Sequence, residues 1–220
     1  MSLSDLLKSR YSVRGFLPKL VSDDEINEIF LTAQRSASNC NTQPWEPIIV
    51  SGEKLKTLEG ELLKAVMSGK PPNPDFAWNV KYQGVHKDRQ WGSAMALYGS
   101  MGIKREDKQA RLMAMGRNWQ FFGAPHAIFF AMDKYLDIMG AVDVGIYAQS
   151  LSLLMAERGI GSIMQGALGQ FPDPVRAMFN IPAERGILFG MSFGYEDPDH
   201  PANACRTDRE EMSDAVRFES

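Results

Sequence analysis

The chain predicts a three-layer α/β or an α+β fold, and three observations carry that expectation. Short apolar runs at 46–51, 126–132 and 186–195 have strand length and composition. Segments with helical spacing separate them. Glycine and proline clusters punctuate the boundaries, without any internal repeat.

Taken in order, the first distinctive segment is Ser9-Arg10-Tyr11-Ser12-Val13-Arg14-Gly15. In extended backbone, side chains at i, i+2 and i+4 share a face, so Arg10, Ser12 and Arg14 would converge on one anion such as a phosphate. Arginine suits that task because its planar donors match phosphate oxygens and its charge does not titrate away. A short basic turn after a first helix explains the same residues equally well.

A helix is predicted from Asp23 to Arg35. Ser22 and Glu25 form a capping box, and Val21 with Ile26 a hydrophobic staple. The loop 36–44 follows, then a strand at 46–51 and a helix from Lys54 to Met67. From Gly69 to Asn118 prolines give way to aromatic and charged residues, which reads as a peripheral insertion of one or two helices. A strand at His126–Met132 leads to a helix from Met139 to Glu157 that is apolar around nearly its whole circumference. Such a helix must be covered on all sides, and one explanation is a central helix that also faces a second subunit. A short strand ending at Gln165, a helix over Asp173–Phe179 and a strand over Gly186–Tyr195 complete the core. A polar tail carries Arg206 and Arg209.

Composition narrows the function. The 220 residues are 44% hydrophobic and 23% charged, with a formal net charge of -3. Mild acidity without a basic cluster argues against a nucleic-acid partner. Cys40, Cys205 and the three histidines are scattered, so no metal site or disulfide framework is expected. No apolar run approaches the ~20 residues that span a bilayer, and the start lacks a signal-peptide pattern. The expectation is a cytoplasmic protein with no membrane partner.

Two motifs are decoys. Gly190-Met191-Ser192-Phe193-Gly194 matches G-x-S-x-G, but the residues after it cannot open the helix that a nucleophile elbow needs. Its glycines are better read as thinning a buried strand where something packs closely. Gly159-Ile160-Gly161 fails as a dinucleotide fingerprint because Met164 occupies the third glycine position, and there is no P-loop. A phosphate here would have to be held by side chains. The stretch Ser38-Asn39-Cys40-Asn41-Thr42-Gln43-Pro44-Trp45 offers uncharged donors and acceptors suited to hydroxyls and heterocycle edges, or a plain turn-rich connector.

Arg10-x-Ser-x-Arg14, the S-x-x-N-x-Q-P-W loop at 38–45 and the tail Gly194-Tyr195…Pro201…Arg206 together resemble the FMN-dependent nitroreductase family, over essentially the whole chain. The 194–201 phrase and Phe121-Phe122-Gly123-Ala124-Pro125 resemble its nitrobenzoate or mycobacterial branch. The resemblance implies an α+β sandwich, a central mixed sheet flanked by helices, and an interlocked homodimer with FMN at the interface. It assigns Arg10, Tyr11, Ser12 and Arg14 to FMN from one subunit, and Ser38, Asn39 and Asn41 from the other. Gln165 and Gly166 fall where backbone donors meet flavin N5 and O4, and Arg206, with Arg209, completes the phosphate cradle. Ala204 departs from the pattern, standing where many members carry a second basic residue. Cys40 stands where small residues are common.

The implied activity is a two-step cycle in which NADH or NADPH reduces FMN and a small aromatic acceptor, nitroaromatic or quinone, is then reduced on the same face. No residue is marked as a general acid, since the flavin carries the chemistry. The 70–118 insertion is the candidate lid, with Trp78, Tyr82, Trp91 and Phe122 as candidate pocket walls. Reductive dehalogenation, flavin fragmentation and non-enzymatic flavin binding stay open as alternatives.

Overall fold

The computed structural model describes residues 1–77 and 80–219. Helix α1 (Leu3–Ser9) is closed at its start by a capping box between Ser2 and Asp5. Helix α2 (Asp23–Ala33) carries the expected box, with Ser22 Oγ accepting from Glu25 N–H and Glu25 reaching back to Ser22. Val21 and Ile26 are both buried, as a staple requires. Strand β1 (Glu46–Ser51) leads directly into α3 (Gly52–Met67), which buries Leu55, Leu58 and Leu62 at helical spacing.

The stretch between α3 and residue 118 contributes α4 (Gly84–Ser100) and α5 (Lys108–Gly116), neither of which buries a residue. Then come β2 (His126–Asp133), α6 (Asp137–Glu157), β3 (Gly161–Gln165), α7 (Pro172–Phe179), β4 (Arg185–Gly194) and a single-turn α8 (Met212–Ala215).

The strands order as β1-β2-β4-β3, and every named pair is antiparallel. The parallel component of the expected mixed sheet is an isolated bridge between Ser12 and Ser162, which docks the N-terminal segment on β3. Strand β2 is buried on both faces, so it reads as a continuous apolar run. One face of the sheet packs against α3 and α7, and the other against α2 and α6.

Helix α6 is buried along Val144, Tyr147, Ala148, Leu151 and Met155, while Ile138, Met139, Val142 and Ile146 are exposed. With the turn before it, this helix spans 24 residues, an 18-residue window of which reaches mean hydropathy 1.4, long and apolar enough to cross a membrane by length and composition. That corrects the expectation that no run approaches this length. The helix here is the one the sheet packs on, and it carries the buried carboxylate of Asp143.

The G-x-S-x-G run lies within β4. Ser192 is fully buried and its hydroxyl donates to Gln165 Oε1, which leaves no nucleophile elbow. A Cβ at Gly190 would meet the Leu168 side chain at 2.5 Å, and one at Gly194 would meet Pro125 at 2.7 Å. The glycines thin the strand for those two neighbours.

Candidate functional site

The N-terminal segment is extended, as its alternation predicts. Val13 N–H donates to Ser162 O at 3.2 Å, fixing the segment's register against β3. Arg10, Tyr11, Ser12 and Arg14 then line one cavity of about 490 Å³ together with Ser93 of α4 and Cys205, Arg206, Thr207 and Arg209 of the tail. The clamp between segment and tail is Asn203, which is buried. Its Oδ1 accepts from Arg14 N–H at 2.7 Å, and its Nδ2 donates to Gly15 O and Asp197 O, each at 2.8 Å. Nothing in the sequence distinguished this asparagine from other loop polar residues, because its importance lies in two distant segments meeting.

The electrostatics of this cavity are one-sided. Among the described residues, Arg10, Arg14, Arg206 and Arg209 make no ion pair with any carboxylate. Burial pushes the Arg14 guanidinium below its ordinary pKa, with the neighbouring Cys205 opposing that shift. Burial does the same to Arg10, and the charge of Arg209 adds to it. Cations gathered without counter-charge and partly desolvated form a site for an anion. Arg14 uses one Nη to donate to Ser12 O at 3.1 Å, and Arg206 donates from Nη1 to Asn203 O and Cys205 O. The remaining guanidinium donors are available to a ligand.

The second polar stretch is equally well built but lies elsewhere. Asn39 N–H donates to both carboxylate oxygens of Asp143 at 3.1 Å, and Gln43 N–H donates to Ser38 Oγ at 3.0 Å. Cys40, Asn41 and Gln43 adopt left-handed φ values of 50°, 58° and 49°. For cysteine and glutamine that conformation is strained, and strain of this kind concentrates where a loop must present specific groups. Trp45 anchors the end of the loop by stacking on Tyr147 at 4.6 Å and donating to Gln34 Oε1. The side chains of Asn39 and Asn41 are exposed.

These two halves do not meet within one chain. Asp143, under the loop, and Ser152, bonded to Ser162 beside the arginine segment, are nine residues apart on α6. That separation is about 13 Å of helix at 1.5 Å per residue.

Gln165 is buried at the far end of β3 from Ser162, its Nε2 donating to Asn118 O at 2.8 Å, and Gly166 opens the 3-10 turn that follows. Tyr82 and Trp91 are exposed on the insertion, Trp91 beneath the Arg105 guanidinium. Phe122, expected as a pocket wall, is instead a core residue at 5% exposure. Trp78 lies outside the described residues.

An α+β sandwich that carries a cavity lined by Arg10, Arg14, Arg206 and Arg209 defines a protein suited to an anionic ligand. Residues 7–195 match the model of the Nitroreductase family. The nitroreductase NfnB of Mycolicibacterium smegmatis is 34% identical over 214 residues, 97% of this chain and 91% of that protein. The 4-nitrobenzoate reductase of Pseudomonas putida is 31% identical, over 97% and 93%. The structure of FMN-dependent NfnB from Mycobacterium smegmatis in complex with NADPH superposes with a TM-score of 0.94 at 33% identity, covering 99% of this chain and 97% of that one. The chain belongs to the nitroreductase family.

Proposed function

We propose that this chain is an FMN-dependent oxidoreductase that takes reducing equivalents from NADH or NADPH and passes them to nitroaromatic or quinone acceptors. It would do so as a homodimer in the cytoplasm, where those nicotinamides are available. The observation that carries the reading is the cavity lined by Arg10, Arg14, Arg206 and Arg209, which make no ion pair among the described residues. A phosphomonoester brings a charge of about -1.5 to -2, which this donor set matches.

When bound, the flavin supplies the hydride chemistry and the protein supplies binding and electrostatics. Arg10, Arg206 and Arg209 would hold the phosphate end, with Ser12 as a neutral donor, and Arg14 would face the pyrimidine edge of the ring. Gln165 and Gly166, about 10 Å along β3 from Ser162 at ~3.3 Å per residue, serve the ring end. Their backbone N–H groups would favour electron acceptance at the ring, and the positive charge of Arg14 would stabilise the anionic reduced form.

Ser38, Asn39 and Asn41 would complete the site from a second copy. Two features support this assembly: the loop and the arginine cavity lie apart in one chain, and Ile138, Val142 and Ile146 form an exposed apolar stripe at i, i+4 spacing on α6. Helices α4 and α5, tethered at Asp75 and Arg117 but burying no residue, would act as the lid. The relatives named above act on nitro compounds by name, and that supports the acceptor class.

The deciding experiment is an absorption spectrum of the purified protein followed by stopped-flow mixing with each nicotinamide. Flavin bands that bleach with NADH or NADPH and return on adding a nitroaromatic are expected. A colourless protein that cannot be reconstituted with FMN would overturn the proposal.

A further inference from the structure

Resting on the FMN reading, we propose that Glu196 is a positioning residue of the anion cavity, acting on Arg206 through the ring of Tyr11. The Arg206 guanidinium lies over that ring, 3.5 Å from its centroid. The Tyr11 hydroxyl donates to the Glu196 carboxylate. Glu196 is fixed in turn by its backbone, which bridges to Phe16 directly after β4.

The placement of Tyr11 explains how a carboxylate can serve an anion site. Tyr11 is a wall shared by two spaces. Arg206 lines the 490 Å³ cavity with the other arginines, whereas Glu196 lines a separate space of about 150 Å³ behind the ring, beside Ser152 and Gly161. Glu196 forms no ion pair with Arg206, although Arg10 lines the same smaller space.

A carboxylate accepting the phenolic proton pushes electron density into the ring, and a more negative π face holds a guanidinium more firmly. Burial, and then the Glu196 contact, raise the Tyr11 pKa to about 12 against the opposing charge and hydrogen bonding of Arg206, so the phenol keeps the proton it donates. The ring and the carbonyls of Asn203 and Cys205 together set the plane of Arg206. Beyond these Nη1 bonds and its interaction with Tyr11, Arg206 makes no ion pair among the described residues, and it faces the cavity where a phosphate oxygen would sit.

The test is a double-mutant cycle read by FMN titration of the flavin-free protein. Glu196→Ala should weaken FMN binding about 3- to 10-fold, within the range of a cation–π contact. Glu196→Gln should restore most of that loss, since an amide oxygen still accepts the phenolic proton. Tyr11→Phe should match Glu196→Ala. In an Arg206→Ala background neither change should weaken binding further, and excess FMN should restore the turnover lost by Glu196→Ala. Wild-type affinity in Glu196→Ala, or a full Glu196→Ala penalty persisting without Arg206, would overturn the inference. Should Glu196→Ala fail to fold, Tyr11→Phe with and without Arg206 completes the same cycle. Wild-type protein that takes up no FMN would instead overturn the cofactor reading, and this inference with it.

Discussion

Two cationic clusters in this molecule are built in opposite ways. At the start of the insertion, Asp75 is nearly buried and its carboxylate accepts from Arg176 Nη2 at 2.7 Å, Lys134 Nζ at 2.9 Å and Ile187 N–H at 2.8 Å. Burial alone would raise the Asp75 pKa, but the hydrogen bonds from Ile187, Lys134 and Arg176 hold it below its ordinary value. Arg176 also donates to Pro182 O, so the cluster satisfies itself. Around the cavity between the N-terminal segment and the tail, four arginines make no ion pair with a carboxylate among the described residues. A satisfied cluster serves the fold, while an unsatisfied one awaits something outside the chain. The cost of gathering like charges persists only where a ligand offsets it.

Four experiments test that contrast, and the largest effect is expected at the exposed stripe of α6. Val142→Glu should place a charge in the proposed subunit interface, giving a monomer by size-exclusion chromatography. FMN affinity should fall about 100-fold or more, the scale of losing an interface hot spot. A monomer that keeps FMN would mean the arginine cavity is not half of a shared site, and a dimer that keeps FMN would mean the stripe at Val142 is not the interface. Next, Asp75→Ala should cost roughly 3 kcal/mol in urea unfolding, the lower end for breaking a buried pair and leaving its cation uncompensated. Its FMN affinity should change little. Arg14→Ala should show the reverse pattern: FMN binding weaker by roughly 10- to 100-fold, as for losing hydrogen bonds to a charged group, with the stability of the flavin-free protein nearly unchanged. Equal loss of both properties in either variant would erase the distinction between the clusters.

The smallest effect concerns a third polar group, neutral rather than charged. His126 is buried against Phe193, its Nε2 accepting from Val21 N–H at 3.0 Å and its Nδ1 bonded to Ser51 Oγ at 2.6 Å. Burial lowers its pKa, partly opposed by Asp23. The unfolded chain therefore takes up a proton near pH 6.5 that the folded chain refuses, so stability should be full above about pH 6.5 and decline as pH falls below it. His200 contributes with the same sign, lowered by burial and Arg117 against Asp197. His126→Gln should make the decline shallower in unfolding free energies measured between pH 7 and 5. An unchanged slope would show that His126 carries no part of it.

Local chemistry made much of this protein legible in its sequence. Ser22 and Glu25 mark a helix start because capping is a contact between residues three apart. The runs at 46–51 and 126–132 mark strands through composition alone, and the boundaries found differ by a residue or less. The spacing of Arg10, Ser12 and Arg14 announces a shared face because an extended chain repeats every two residues. The box between Ser2 and Asp5 that opens α1 is a contact of the same short range. What tertiary structure decided are relations between distant segments. Asn203 clasps Arg14 across 189 positions, Glu196 reaches Tyr11 across 185, and Asp143 holds Asn39 across 104. No local pattern encodes these pairs, since any exposed loop residue could fill such a position until the sheet brings its partner near. The same holds for charge: the sequence shows which residues are arginines, but only packing shows that four of them share a cavity with no carboxylate.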